Sequence, residues 1–399
     1  MHPLLRLPRL ALGAALVSLI TACPAHAATL PWVGTTMDEY IATNEIAGSV
    51  TLVVSRNKVL HLECNGFADV ATKRPMTPDT LFWIASMTKP VTGVAVLMLM
   101  DEGKLNVNDP VANYLPEFAG LKTPSGKPAN LTITQLLNHT SGLGEATGPA
   151  AQQARTLADL VPLWLAAPMK YEPGEKWQYT QSGINAAGRI VEVVSGMSFD
   201  QFLEQRLFKP LGMKDTTFYP NEEQRARLAT AYSLNQGTKK LEAVTPRRDF
   251  GSRNRPPQGN GGLYSTGPDY AKFCQMLLNE GKFRGHRYLS RAAMKHLTTP
   301  NTGALPTGFF QNDTYGQRGA NYGWGLGTCI LRTPHEGVAA MLSPGTYGHG
   351  GAWGTQAWID PEKETAYVLM VQRANFPNSD ASDVRAAFQR AAVEALSNR

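Results

Sequence analysis

The sequence predicts a mixed α/β (α+β) fold, with an antiparallel sheet built from both ends of the chain, helices flanking it, and a mainly helical lobe inserted between. Three observations carry this. β-rich runs stand near the start and near the end. The middle is helical and loop-rich. The 399 residues also exceed the size at which one hydrophobic core usually stops growing, so two lobes are expected. Apolar residues make up 43% and charged residues 18%, an ordinary globular balance.

Ser49–Ser55 and Val59–Phe67 are the first two β-rich runs, and Arg56-Asn57-Lys58 between them reads as a hairpin turn. Near the other end, Tyr322–Arg332 reads as one strand. Thr355–Ile359 and Thr365–Val371 read as two more, joined by a turn at Asp360-Pro361-Glu362-Lys363, and a closing helix is predicted over Ser382–Leu396. In the middle, Gly183–Ser195 carries Ile184, Ala187, Ile190, Val191 and Val194 on helical spacing, with Gly196 placed to cap its end. Ser198 followed by Gln201 predicts a capping box for the next helix, which Pro210 is expected to stop. Pro268 suits the first turn of a helix through Leu278, closed near Gly281.

Residues 1–27 read as a secretory signal: Arg6 and Arg9, an apolar run from Leu10 to Ala22, then Ala25-His26-Ala27 as a small-x-small cleavage site. Ile20-Thr21-Ala22-Cys23 offers the alternative of a lipoprotein anchored through Cys23. Either reading places the mature protein in the periplasm or outside the cell. Residues 28–80 with 285–399 are expected to form the sheet lobe and 81–284 the mainly helical lobe, with the active site between them. No later segment reaches the ~18 unbroken apolar residues of a membrane span. The formal net charge of +6 falls to +4 without the two leader arginines and is dispersed, which argues against a nucleic-acid partner. Cys64, Cys274 and Cys329 are far apart and odd in number, so at most one disulfide is allowed, and buried free thiols serve as well. No Cys-x-x-Cys or His-Glu-x-x-His pattern points to a metal.

The stretch "FWIASMTKP" (82–90) carries the chemistry. On a helix Ser86 and Lys89, three residues apart, share a face. The run Val91–Met100 has only Thr92 and Gly93 as non-apolar members, so this helix is expected to be buried all round. Burial and the positive end of the helix dipole both disfavour the charged form of Lys89. A neutral amine can take the proton of Ser86 and make it a nucleophile, while the free N–H groups of the first turn can hold an oxyanion. Spacing alone also fits a helix cap with a snorkelling lysine. The same Ser-x-x-Lys spacing at Ser55–Lys58 straddles the hairpin turn and carries no chemistry. The buried helix favours the nucleophile at Ser86. No Gly-x-Ser-x-Gly elbow offers another.

Further stretches join the pair in order: "LLNHTSGL" (136–143), "YEPGEKWQYTQSGIN" (171–185), "FKPLGMKDTTF" (208–218), "GGLYSTGPDY" (261–270) and "GHGGAWG" (348–354). Together, over roughly residues 35–395, they resemble the serine beta-lactamase and penicillin-binding-protein superfamily, nearer its class C, DD-peptidase and family VIII carboxylesterase branch. The resemblance implies the beta-lactamase/transpeptidase-like fold. It makes Ser86 the nucleophile, Lys89 its partner and Tyr179 the tyrosine of a Tyr-x-Asn element that shares the base role and primes water. His349-Gly350-Gly351 matches the Lys-Thr-Gly element on the edge strand facing the site, and Ala352 falls where the second oxyanion N–H belongs, beside that of Ser86. Gln181 replaces the family's asparagine and His349 its lysine. Both changes weaken recognition of an anionic beta-lactam or peptide carboxylate and suit a neutral ester.

The resemblance therefore implies an acyl-enzyme serine hydrolase without a cofactor, a carboxylesterase on short-acyl esters. The alternatives are a D-Ala-D-Ala carboxypeptidase, D-aminopeptidase or beta-lactamase acting on a small amide, and a non-catalytic penicillin-binding sensor. Gln181, His349, Gly350, Gly351 and Trp353 are expected to meet substrate. His139 is expected to brace a loop. Gly261 and Gly262 are expected to allow close backbone packing. Trp83, Tyr347 and Trp353 flank the motifs as candidate acyl-pocket walls.

Overall fold

The computed structural model describes residues 29–245, 252–307, 318–376 and 382–398. The leader and Cys23 lie outside the described residues. The main sheet is formed by β1 Gly48–Ser55, β2 Val59–Asp69, β3 Arg74–Pro75, β4 Tyr322–Trp324, β5 Cys329–Leu331, β6 Tyr347–Gly350, β7 Gln356–Asp360 and β8 Thr365–Met370. The strands run β4-β5-β6-β7-β8-β1-β2-β3 from edge to edge, and every neighbouring pair is antiparallel. The two ends of the chain therefore meet where β1 pairs with β8, Val50 opposite Met370.

Alternation along the strands feeds two cores. Val50, Leu52, Val54, Ala366, Val368 and Met370 point to the face covered by Thr88–Asp101 and its neighbours. Val53, Tyr367, Leu369 and Trp358 point to the other face, under the helices Val33–Ala42 and Asp383–Ser397. Helix Gly267–Leu278 lies directly on the sheet, and a Cβ on Gly267 would sit 2.5 Å from Leu52 Cδ1. Cys64, Cys274 and Cys329 are all free thiols. Among the described residues, no helix is long and apolar enough to cross a membrane.

Three local expectations are corrected. Tyr322–Arg332 is two strands, because residues 325–328 turn: Gly325 N–H donates to the Thr328 carbonyl at 2.9 Å and Gly327 takes φ +89°. Ser198 precedes its helix, but its hydroxyl donates to Asp200 Oδ1 at 2.7 Å, and no capping box forms. Pro210 does not stop that helix. A π-helical turn over Glu204–Phe208 re-routes the bonds ahead of the proline, and the chain turns off only at Gly212, φ +71°.

A buried histidine ties the N-terminal segment to this sheet. His61 Nδ1 accepts from Leu30 N–H at 3.0 Å, and its Nε2 lies 2.9 Å from Thr51 Oγ1. Burial lowers its pKa to about 4. Between the ordinary histidine value and about 4 the unfolded chain therefore binds the extra proton, and folding stability falls as pH drops through that window. We expect the loss from this site to be about 3 kcal/mol from pH 7 to pH 4. Urea midpoints of wild type and His61→Gln at both pH values check it, and an equal acid loss in the variant would remove His61 as the cause.

Candidate active site

A short 3₁₀ turn, Ala85–Met87, leads into helix Thr88–Asp101. Ala85 has φ +44°, in the left-handed region, where the chain reverses to present Ser86. A two-residue bridge holds this approach: Phe82 pairs with Ser265 and Trp83 with Tyr264, and Ile84 N–H donates to the Leu263 carbonyl at 3.1 Å. Every residue from Thr88 to Leu99 is buried, so the helix is sealed all round as the apolar run predicts. Pro90 sits in its first turn, where the missing N–H has no helical partner to lose.

Lys89 is 0% exposed. Its Nζ lies 3.2 Å from Ser86 Oγ, 3.0 Å from Gln181 Oε1 and 2.7 Å from the Asn260 carbonyl oxygen. Burial drives this amine well below the ordinary lysine range, opposed in part by the Glu145 carboxylate. Counting hydrogens then orients the group. A neutral amine has two N–H bonds and one lone pair. The two carbonyl oxygens can only accept, so they take the two N–H bonds. In that neutral form the lone pair would be the part of the amine left for the Ser86 hydroxyl, 3.2 Å away.

Tyr179 packs against the same amine, with Lys89 Nζ 4.5 Å from its ring centroid, and its hydroxyl lies 3.4 Å from His349 Nε2. His139, Trp324 and Trp177 surround the phenol ring at centroid distances of 4.6, 6.0 and 6.3 Å. His139 is fully buried, and its Nδ1 accepts from Thr180 N–H at 3.2 Å, so it braces the Tyr179 loop as expected. Burial first, then the neighbouring Lys89 and His349, holds His139 far below the ordinary histidine pKa.

Two groups in the cluster carry no motif. Glu145 accepts from Gln181 N–H at 2.6 Å, Ser182 N–H at 3.0 Å and Ser182 Oγ at 2.7 Å. It thereby caps helix Ser182–Ser195, whose own N-cap residue Gln181 makes no side-chain cap bond. That leaves the Gln181 amide free to reach inward, and its Oε1 also accepts from Asn260 Nδ2 at 2.8 Å. Asn260 N–H is itself held by Asn185 Oδ1 at 3.1 Å. Glu145 and Asn260 are the functional neighbours the sequence reading missed. The extra methylene of Gln181, set against the family's asparagine, still delivers an amide oxygen to Lys89.

The "GHGGAWG" run is β6 and the turn after it. β6 is third from the sheet edge rather than the edge strand. Its outer neighbour β5 pairs only with Tyr347 and Gly348, so His349 and Gly350 run past β5 and face the site. A Cβ at 351 would lie 2.6 Å from the Ile84 carbonyl oxygen and 2.2 Å from Thr355 Oγ1, so glycine there lets the strand end lie against the turn that presents Ser86. Ala352 is exposed beside it, and half-buried Trp353 packs on Trp83 at 5.3 Å between ring centroids. Trp83 Nε1 donates to the Gly261 carbonyl at 2.7 Å. Tyr347 lies in the core, 2% exposed. Gly262 is a close-approach position, 2.8 Å from the Gln258 carbonyl oxygen to a would-be Cβ, whereas Gly261 would meet only ordinary contacts.

Comparison with known proteins agrees with this assembly. The family profile described as Beta-lactamase matches residues 33–392. Esterase EstB of Burkholderia gladioli is 27% identical over 369 residues, covering 84% of this chain and 88% of the esterase. A putative D-alanyl-D-alanine carboxypeptidase of Escherichia coli (strain K12) is 28% identical over 376 residues, 86% of this chain and 83% of the relative. Among solved structures, EstCE1, a hydrolase with promiscuous acyltransferase activity, shares the fold with a TM-score of 0.75 at 23% identity, over 90% of this chain and 97% of its own. An apolar-sealed Ser-x-x-Lys helix and an antiparallel sheet assembled from both chain ends thus coincide with a family match that runs almost the length of the chain, and the protein belongs to the beta-lactamase and penicillin-binding-protein family of serine hydrolases.

Proposed function

We propose that the protein is a secreted or periplasmic carboxylesterase that cleaves short-acyl esters through an acyl-enzyme, in a cleft between the sheet lobe and the helical lobe. The observation that carries this reading is the sealed Lys89 amine, whose Nζ lies 3.2 Å from Ser86 Oγ. Ser86 Oγ attacks the ester carbonyl as its proton passes to Lys89. The N–H groups of Ser86 and Ala352 hold the oxyanion. The carbon–oxygen bond to the alcohol breaks, and the alcohol leaves with the proton from Lys89. Tyr179, with Lys89, activates water to release the acid. Gln181, His349, Gly350, Gly351 and Trp353 line the substrate, and the chemistry calls for no cofactor.

The preference for an ester rests on His349. It stands where the family's lysine offers a permanent charge, and a histidine offers no permanent charge to hold a substrate carboxylate. The relative named as an esterase supports the same choice. We expect p-nitrophenyl butyrate to be turned over and Ser86→Ala to reduce its hydrolysis to the buffer rate, while nitrocefin and a D-Ala-D-Ala peptide are consumed far more slowly. Consumption of only the lactam or the peptide would overturn the esterase reading. A fluorophosphonate probe that leaves Ser86 unlabelled in folded protein would point to a non-catalytic sensor.

A further inference from the structure

We propose that His349 is the proton acceptor of Tyr179, so that the phenol hands its proton to His349 Nε2 as it takes one from the attacking water. The proposal rests on the acyl-enzyme reading and goes beyond the substrate-lining place given to His349 there.

The tautomers of two histidines carry the argument. His349 Nδ1 lies 2.6 Å from the carbonyl oxygen of Gly350. A carbonyl only accepts, so the ring proton must sit on Nδ1. In the neutral ring Nε2 is then an acceptor, and it faces the Tyr179 hydroxyl at 3.4 Å. His139, on another side of the same phenol, has the opposite arrangement. Its Nδ1 lone pair is taken by Thr180 N–H, so its proton sits on Nε2 and it has no acceptor to offer. Both histidines are buried, and Trp324 stands edge-on to both, with ring centroids 5.6 Å from His349 and 5.0 Å from His139. Tyr179 therefore packs near a histidine that only braces it and one that can take its proton.

In deacylation the water oxygen bonds to the acyl carbon, and its proton moves to the Tyr179 oxygen. The phenol's own proton moves to His349 Nε2. The imidazolium so formed keeps its Nδ1–H on the Gly350 carbonyl, where the bond becomes charge-assisted. When the bond from the acyl carbon to Ser86 Oγ breaks, the proton returns from Nε2 through Tyr179 to Ser86. Every proton is accounted for, and no co-reactant is needed. His349 acts through Tyr179 and is in this sense a positioning residue that also stores a proton.

The test separates this role from that of a pocket wall. His349→Phe keeps the ring volume and removes the acceptor. We expect kcat on p-nitrophenyl butyrate to fall by about 10²-fold, the lower end for a lost general base, with KM falling in parallel because only deacylation slows, so that kcat/KM stays within about twofold of wild type. Butyryl-Ser86 should then accumulate and be visible by intact mass. His349→Gln, whose Oε1 accepts a hydrogen bond but takes no proton, should stay as slow. A raised KM with unchanged kcat in His349→Phe, or recovery of kcat in His349→Gln, would overturn the proposal. Should the variants unfold, wild type alone decides. Its kcat in H2O–D2O mixtures should curve, because two protons move, and a straight line would end the idea. Fluorophosphonate labelling of wild-type Ser86 tells the failures apart. No labelling sinks the acyl-enzyme reading itself, whereas labelling with full kcat in His349→Phe sinks only the role of His349.

Discussion

Lys89→Met should lower kcat on p-nitrophenyl butyrate by roughly 10³- to 10⁴-fold, the upper part of the range for loss of a general base. Methionine matches the length and apolar surface of the lysine stem but has no lone pair on nitrogen to receive the Ser86 proton. Lys89→Arg should be no better. Its guanidinium cannot deprotonate, and its planar fork does not fit a site built for one tetrahedral nitrogen between Ser86, Gln181 and Asn260. The same substitution has a stability signature of defined sign. Burial holds the folded-state pKa of Lys89 well below that of the unfolded chain. At every pH between those two values the unfolded chain binds more protons than the folded one, so wild-type stability rises as pH rises towards ~10.5. Lys89→Met removes that slope. Unfolding midpoints from pH 6 to pH 10 for the two proteins should therefore converge on the alkaline side. Activity within tenfold of wild type, or an unchanged pH slope, would mean that Lys89 is a charged structural residue and not a base.

How far the sequence disclosed this site depends on what each residue contributes. Ser86, Lys89, Tyr179, Gln181 and His349 join the cluster through side chains set in motifs, and their order along the chain could be read directly. Asn260 acts on Lys89 through its main-chain oxygen, which every residue possesses, so no side-chain signature marks it. Glu145 caps a helix that starts 37 residues later, and nothing local announces so distant a partner. The sheet was legible for a similar reason: Ser49–Ser55 and Thr365–Val371 are β-rich and end in turn residues. The fold of Tyr322–Arg332 was not, because its glycines read equally as strand residues until the turn they form is seen packing on the serine helix. Pro210 misled because a π-turn upstream absorbs the bond it cannot make.

Gly93→Ala should be among the most destabilising single methyl additions in the protein, although alanine is the better helix former. Gly93 lies one turn after Lys89, and a Cβ there would sit 2.1 Å from the carbonyl oxygen of Leu326 and 3.3 Å from Leu297 Cδ2. The obstacle is backbone, and it is pinned. Leu326 N–H donates to the His296 carbonyl at 2.9 Å, Gly325 N–H donates to Thr328, and Thr328 Oγ1 donates to the Leu297 carbonyl. Gly327 meets the serine helix from the other side of the contact, its would-be Cβ 2.6 Å from the Lys89 carbonyl oxygen. The turn cannot retreat, so the helix must move, and it carries Lys89 with it. We expect a loss of about 3 kcal/mol, the upper end for overpacking a tight core. The fall in kcat should exceed any change in KM, because the displaced group is the amine facing Ser86. Gly120→Ala is the control: a Cβ there meets nothing within 4 Å, so its stability should match or slightly exceed wild type. Thermal and urea unfolding of the two variants decides the matter. A Gly93→Ala protein as stable and as active as Gly120→Ala would show that the serine helix does not rest on the 325–328 turn, and with it would go the reason Lys89 stays sealed.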